Sequence, residues 1–192
     1  GTTQFDGAVT LSGAMDFTGT NLTLNAAVNS GATVEVTNSG TFTTAAAGDI
    51  TSTSTFTQNG AGTNSLAGDI TTTDSNISFA KAITLTGDVA MSSGTGAGTL
   101  TYSEAIDGTA DNTQSLTLTA GTGNINFDAA VGATKDLKDV TVVSAANVDT
   151  DSTFAASTYT QSAGSGTTQF DGAVTLSGAM DFTGTNLPLN AA

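Results

Sequence analysis

The sequence predicts an all-β protein built as a β-solenoid, with three short strands per coil and a coil length of about 19–20 residues. Three observations lead to this fold class. Apolar residues alternate in very short bursts, Gly-Asp-apolar triplets recur at the length of one coil, and the string that begins at Gly1 begins again at Gly166.

The bursts are pairs of apolar residues separated by one residue, as one face of a β-strand requires. None of them is long enough for a helix, and the surrounding residues are rich in Thr, Gly, Asn and Asp, which favour strands and turns. The bursts include Val9/Leu11, Met15/Phe17, Leu22/Leu24, Val34/Val36, Ile77/Phe79, Ile83/Leu85, Val89/Met91, Leu116/Leu118, Ile125/Phe127 and Val140/Val142.

The coil length comes from three successive triplets: Gly48-Asp49-Ile50, Gly68-Asp69-Ile70 and Gly87-Asp88-Val89. Bursts at Ile77 and Ile83 divide the interval between the second and third triplets into three parts, which predicts three strands per coil. Because the spacing is lost between Val89 and Ile125, we expect a longer corner loop there, including residues 107–112. The rival fold is a tandem of immunoglobulin-like sandwiches, whose strands are usually longer.

Residues 1–27 and 166–192 agree at 26 of 27 positions, the difference being Thr23 against Pro188. We therefore divide the chain into one repeat unit, residues 1–165, and the start of the next unit, residues 166–192, within a single continuous solenoid. One unit should form about eight coils and a rod of about 40 Å. Because proline cannot donate to a ladder, either that donor is free in both copies or the second copy begins a different coil.

Composition excludes several classes of function. With 17 acidic and 3 basic residues the net charge is −14, which disfavours nucleic acid and anionic membranes as partners. The sequence contains no Cys, His, Arg or Trp, so a disulfide scaffold and a thiolate metal site are excluded. No apolar run reaches the length of roughly 18 residues that a membrane span needs, and we expect no membrane insertion.

Three stretches carry a resemblance to a known family: FTQNGAGTNSLAGDITTTDSNISF, ITLTGDVAMSSGTGAGTLTY and LTLTAGTGNINFDAAVGATKDLKDVTV. They resemble the β-strand repeats of very large filamentous haemagglutinin-like proteins on bacterial surfaces. The resemblance implies a right-handed parallel β-helix in a secreted, extracellular fibre or adhesin at the bacterial cell surface. The secretion domain that marks such proteins is missing from this sequence.

No catalytic residue is assigned, and the chain is not expected to be an enzyme. Asp149 and Asp151 should lie on the same side of a strand, and Asp136 and Asp139 lie beside Lys135 and Lys138. Acids are spread along the whole chain, however, and neither an imidazole base nor a thiol nucleophile is available. A solvated outer face explains these carboxylates better.

No cofactor or metal ligand is assigned either. If Asp49, Asp69 and Asp88 stack in successive coils, calcium could relieve their repulsion, but neither an EF-hand loop nor a calcium-binding nonapeptide is present. Ice binding is also disfavoured, because the Thr-x-Thr triplets are spaced too irregularly to share one face of the predicted coil. They begin at Thr41, Thr55, Thr84, Thr99, Thr117 and Thr158.

The expected function is structural: a stiff rod, or a self-assembling filament or coat, within a large secreted surface protein. Rods should associate end to end or with neighbouring rods, because unpaired strands at the ends of a solenoid template association. The alternative is a binding module that recognises a receptor, a glycan or a sister rod through the solenoid flank. Glycan stacking has few candidates, because Tyr102, Tyr159 and the nine Phe residues occupy inward positions.

Overall fold

A computed structural model describes residues 1–190, in which the chain forms a parallel β-solenoid of about nine coils. No helix is present in this range, and no segment of it is a helix that could span a membrane. Most coils contribute three short strands. In chain order they are β1 (Thr2–Phe5), β2 (Val9–Leu11), β3 (Met15–Gly19), β4 (Asn21–Leu24), β5 (Val28–Ser30), β6 (Val34–Asn38), β7 (Phe42–Thr44), β8 (Ile50–Ser52), β9 (Phe56–Gln58), β10 (Asn64–Leu66), β11 (Ile70–Thr72), β12 (Ile77–Phe79), β13 (Ile83–Leu85), β14 (Val89–Ser92), β15 (Leu100–Tyr102), β16 (Ile106–Gly108), β17 (Leu116–Thr119), β18 (Ile125–Phe127), β19 (Leu137–Ser144), β20 (Val148–Thr150), β21 (Phe154–Gln161), β22 (Thr168–Phe170), β23 (Val174–Leu176) and β24 (Met180–Phe182).

Every third strand pairs in parallel, which produces three sheets that we call faces 1, 2 and 3. Face 1 contains β1, β4, β7, β10, β13 and β16, continues through the bridge residue Val131 to the first half of β21, and ends with β23. Face 2 runs through β2, β5, β8, β11, β14, β17 and β19 to the second half of β21 and β24. Face 3 contains β3, β6, β9, β12, β15, β18, β20 and β22. The predicted solenoid with three strands per turn is confirmed, and the sandwich alternative is wrong.

Coil length varies more than the sequence predicts. Thr2 pairs with Asn21, which lies 19 positions later in the chain. Val89, in contrast, pairs with Leu116, and the backbone N–H of Ser115 donates to Asp88; the residues of both pairs are 27 positions apart. The average is about 21 residues, because the middle coils carry extra residues at their corners while their strands stay in register. The long connections are residues 93–99, 109–115 and 128–136. The first two lie in the predicted interval between Val89 and Ile125, and the third lies outside it. The predicted loop 107–112 is wrong for Asp107 and Gly108, which belong to β16 and pair with Thr84 and Leu85.

The core is a continuous column of inward side chains along the solenoid axis. Away from the first and last coils, strands of three residues show a buried, outward, buried pattern, as in β12 with Ile77 and Phe79 inward. Tyr102 stacks between Phe79 and Phe127 in successive coils, with ring centroids 6.2 and 5.2 Å apart. Burying one such ring stabilises the fold by roughly 1.5–3 kcal/mol. The inward positions predicted for the tyrosines are confirmed, and six phenylalanines are fully buried: Phe42, Phe56, Phe79, Phe127, Phe154 and Phe170.

Three buried amides interrupt this apolar column between β6 and β10. Gln58 Nε2 donates to Asn38 Oδ1 at 2.7 Å, and Asn64 Nδ2 donates to the carbonyl of Lys81 at 2.9 Å. Gln58 Oε1 in turn accepts the backbone N–H of Lys81 at 3.2 Å. The amides therefore supply hydrogen bonds to backbone groups at the corners, which no apolar residue could do.

Candidate functional site

Four carboxylates gather at the corner where face 3 turns into face 1, and we call this group the acidic corner: Asp128, Asp149, Asp151 and Asp171. Asp128, Asp151 and Asp171 directly follow the aligned strands β18, β20 and β22, one coil apart. Side chains alternate along β20: Val148 and Thr150 are buried, and Asp149 between them points outward. The prediction that Asp149 and Asp151 share one side of the chain is confirmed.

The carboxylates of Asp149, Asp151 and Asp171 are exposed, and each offers an oxygen that lies within 4.8 Å of the others. Within residues 1–190 this is the one group of three acidic side chains close enough to share a ligand. The sequence signal for Asp171 was its distance from Asp151 along the chain, which is one coil. In the sequence, Asp149 was compared only with its neighbour Asp151, so this spacing was not used.

The acidic corner carries opposing electrostatic effects. The pKa of Asp149 is raised, first by partial burial and then by repulsion from Asp151, Asp171 and Asp128. The pKa of Asp171 is lowered, because Asn190 Nδ2 donates to it at 2.9 Å and Gln169 Nε2 also donates to it. The hydrogen bonds therefore favour the ionised form of Asp171, whereas burial and the neighbouring negative charges disfavour the ionised form of Asp149.

Chemically, three carboxylates at this separation could contribute oxygen ligands to a hard divalent cation such as calcium. Calcium takes about six to eight oxygen ligands, so most of its shell would have to be water at this exposed corner. A catalytic use would require a differently charged partner for the carboxylates. All three lysines lie elsewhere, in ion pairs with Glu104, Asp111 and Asp139.

The stacked aspartates considered as calcium ligands take a different arrangement. Asp69 lies over Asp49, but Ala90 and not Asp88 lies over Asp69, so the three carboxylates do not form one column. Asp49 Oδ1 accepts the backbone N–H of Asp69 at 2.9 Å, and Asp69 Oδ1 accepts that of Ala90 at 2.7 Å. Each of these two carboxylates is thus engaged by a backbone N–H of the following coil.

The second group of charges singled out from the sequence is structural. Lys138 Nζ lies 3.7 Å from Asp139, and Lys135 Nζ lies 3.4 Å from Asp111 in the 109–115 loop. Asp139 also accepts hydrogen bonds from the hydroxyls of Ser115 and Thr158 in the coils before and after it. The group ties the long loops of the middle coils together at the corner between faces 1 and 2.

The Thr-x-Thr triplets are distributed over all three faces, as their spacing predicts. Outward hydroxyls nevertheless align across coils, which the spacing of the triplets does not predict. Face 1 carries an outward column of Thr23, Thr43, Ser65 and Thr84 in adjacent strands. The column is one residue wide, because the residues on either side of each hydroxyl point into the core.

Comparison of the chain with protein-family models, curated proteins and solved structures gave no match.

Proposed function

We propose that this chain is a structural repeat segment of a large secreted cell-surface fibre or adhesin, in which the stacked coils form a stiff rod. One observation supports this above all: the solenoid runs through the boundary between repeat units without a linker. Strands of the second copy pair directly with strands of the first unit, Val148 with Thr168, Phe154 with Val174 and Tyr159 with Met180.

A rod of this kind is stiff because each coil is joined to the next by three parallel ladders and a shared core. No loop in residues 1–190 separates one coil from the next, since even the 109–115 connection is bonded to the following coil through Asn112 N–H and the carbonyl of Asp136 at 2.8 Å. Bending the rod would require breaking ladder bonds and opening the core.

The charge of the rod suits an extended surface polymer. The net charge is −14, and each lysine is already paired with an acid, so the outer face is negative overall. Repulsion between rods keeps them apart in dilute salt and is screened within about 8–10 Å at physiological ionic strength. The resemblance to filamentous haemagglutinin-like repeats supports a secreted location.

The test is electron microscopy of this chain beside chains lengthened by one and two further copies of the repeat unit. We expect thin, unbranched rods that lengthen by about 37 Å for each added unit, at about 4.8 Å per coil. Beads joined by flexible segments, or particles whose length does not grow in proportion, would contradict the proposal.

The cellular location needs its own experiment. Antibodies raised against this chain should label intact cells of the source organism under immunogold microscopy as strongly as permeabilised cells. Labelling that depends on permeabilisation would overturn the surface location and leave the rod architecture untouched.

A further inference from the structure

The two copies of the repeated segment occupy different faces of the solenoid. Thr168 and its neighbours in β22 lie on face 3, although their equivalents in β1 lie on face 1. β23 lies on face 1 through its pairing with Phe154, and β24 lies on face 2 through its pairing with Tyr159. Their equivalents β2 and β3 lie on faces 2 and 3. The whole segment is therefore rotated by one face.

The rotation leaves the local structure of the segment unchanged. In the first copy Thr2 pairs with Asn21 and Phe5 with Leu24. In the second copy Thr167 pairs with Asn186 and Phe170 with Leu189, which are the same pairs one repeat unit later. Asn25 Nδ2 donates to Asp6, and Asn190 Nδ2 donates to Asp171 in the same way. The pairing within the coil is the same in both copies, and only the face that each strand occupies differs.

The cause is the number of strand positions in one unit. From β1 to β22 the chain passes through seven complete coils and two faces of an eighth, so the unit ends one face short of a whole number of coils. An array of such units must accumulate this shift at every boundary.

We propose that the second repeat unit continues from the last coil of this chain, and that successive units are rotated by one third of a turn about the rod axis. The inference rests on the tandem array of the proposed function. Three units then fill 23 coils, and each face recurs along the rod after about 110 Å at about 4.8 Å per coil.

The chain itself shows what covers that last coil. In the first copy, Val9 and Met15 are paired with Val28 and Val34 of the next coil. Met15 is buried beneath that coil, whereas its equivalent Met180 in the last coil is half-buried. In the array of the proposed function, the second unit continues with its own equivalents of residues 28–38, which would cover Val174 and Met180 in the same register.

One consequence concerns surfaces that occur once per unit. The acidic corner is completed at a unit boundary, because Asp149 and Asp151 end one unit and Asp171 begins the next. In the array, successive acidic corners point in three directions, one third of a turn apart. The rod therefore presents each such surface all around its circumference and has no single functional side.

The rotation is tested first in this chain, which has no native cysteine. Ala155 and Thr175 are outward neighbours on face 1, so the A155C/T175C pair should be cross-linked by a short bifunctional thiol reagent that bridges strands about 5 Å apart. Without rotation Thr175 would lie beside Thr160 on face 2, so T160C/T175C should stay uncross-linked. T10C/N29C, a neighbouring pair in the first copy, is the positive control.

Cross-linking of T160C/T175C in place of A155C/T175C would overturn the rotation. In a second experiment, the chain lengthened to three units carries T84C in every unit, labelled with gold at this outward position on face 1. We expect labels in three directions at steps of about 37 Å. A straight row of labels on an intact rod would contradict the rotation alone, whereas the absence of a rod would contradict the proposed function.

Discussion

At the residue scale, the three buried amides of Asn38, Gln58 and Asn64 are the most demanding part of the core. All three are at most 1% exposed. A polar atom that loses its hydrogen-bond partner at this depth cannot bond to water instead. Leaving one such atom unpaired lowers the free energy of unfolding by about 1–3 kcal/mol.

Gln58→Leu keeps the approximate volume of the side chain but removes the donor to Asn38 Oδ1 and the acceptor for the N–H of Lys81. We expect the free energy of unfolding to fall by about 1–3 kcal/mol because these two groups become unpaired. Denaturant unfolding followed by circular dichroism measures it. Thr43→Val, an outward change on face 1, is the control and should stay within about 0.5 kcal/mol. Equal effects of the two changes would show that the amides are not structurally important.

Asp149 predicts an unusual dependence of stability on pH. Its pKa is raised in the fold, so the fold favours the protonated carboxyl, and stability is lost as pH rises through that pKa. We expect Asp149→Asn to raise the Tm at pH 7 and to have little effect at pH 3, where the carboxyl is protonated in both the folded and the unfolded chain.

The control for Asp149 lies in the next coil. The pKa of Asp171 is lowered by its hydrogen bonds, so its contribution is present above the unfolded pKa and is lost as pH falls. Asp171→Asn should therefore lower the Tm at pH 7. Thermal unfolding of both variants across pH 3–8 checks the opposite signs, and a lower Tm for Asp149→Asn at pH 7 would contradict the interpretation.

Pro188 answers a question that the sequence left open. The offset between paired residues is the same in both copies, so the second copy does not begin a different coil. The first copy has a continuous strand at Asn21–Leu24, whereas the second has only two separate bridges at Asn186 and Leu189. The carbonyl of Pro188 still accepts the N–H of Phe170 at 3.1 Å, so the missing donor interrupts the ladder without shifting the register.

At the scale of elements, the corners decide how closely coils can stack. Gly62 lies against Gly40 of the preceding coil, and a Cβ at position 62 would collide with the carbonyl oxygen of Gly40. That atom belongs to the backbone, which cannot move aside without disturbing the adjacent strands.

Gly62→Ala should therefore destabilise the fold by about 1–3 kcal/mol or more, as overpacking does elsewhere. Gly13→Ala is the matched control, because a Cβ there meets nothing within 4 Å. We expect the control to be neutral or slightly stabilising, since alanine reduces the entropy of the unfolded chain. Equilibrium unfolding of both variants checks this, and a neutral Gly62→Ala would refute the close stacking of the corners.

Hydrogen bonds at the corners also join each coil to the one that follows it. Asn21, Asp69, Asn76 and Asn147 each accept, through a side-chain oxygen, a backbone N–H from the following coil. In each case the acceptor precedes the donor by one coil. The short polar residues that read as turn formers in the sequence thus also fasten each coil to the next.

At the scale of the whole molecule, three faces and a unit of seven coils plus two faces produce a rod with a built-in rotation. The rotation is compatible with the core and the ladders, because each face has the same alternation of inward and outward residues. The strands of the second copy form regular parallel pairs on their new faces.

The sequence by itself determined the fold class, the three strands per coil, two of the three long corner connections and the inward positions of both tyrosines and six of the nine phenylalanines. These follow from alternation and spacing along the chain, which are local properties. The coil length of the middle region, the place of Asp88 and the approach of Asp171 to Asp149 were decided only by the tertiary structure. The physical reason is that corners absorb extra residues without disturbing the ladders, so positions that meet across coils depend on the sum of all corner lengths between them. The rotation of the second copy has the same origin.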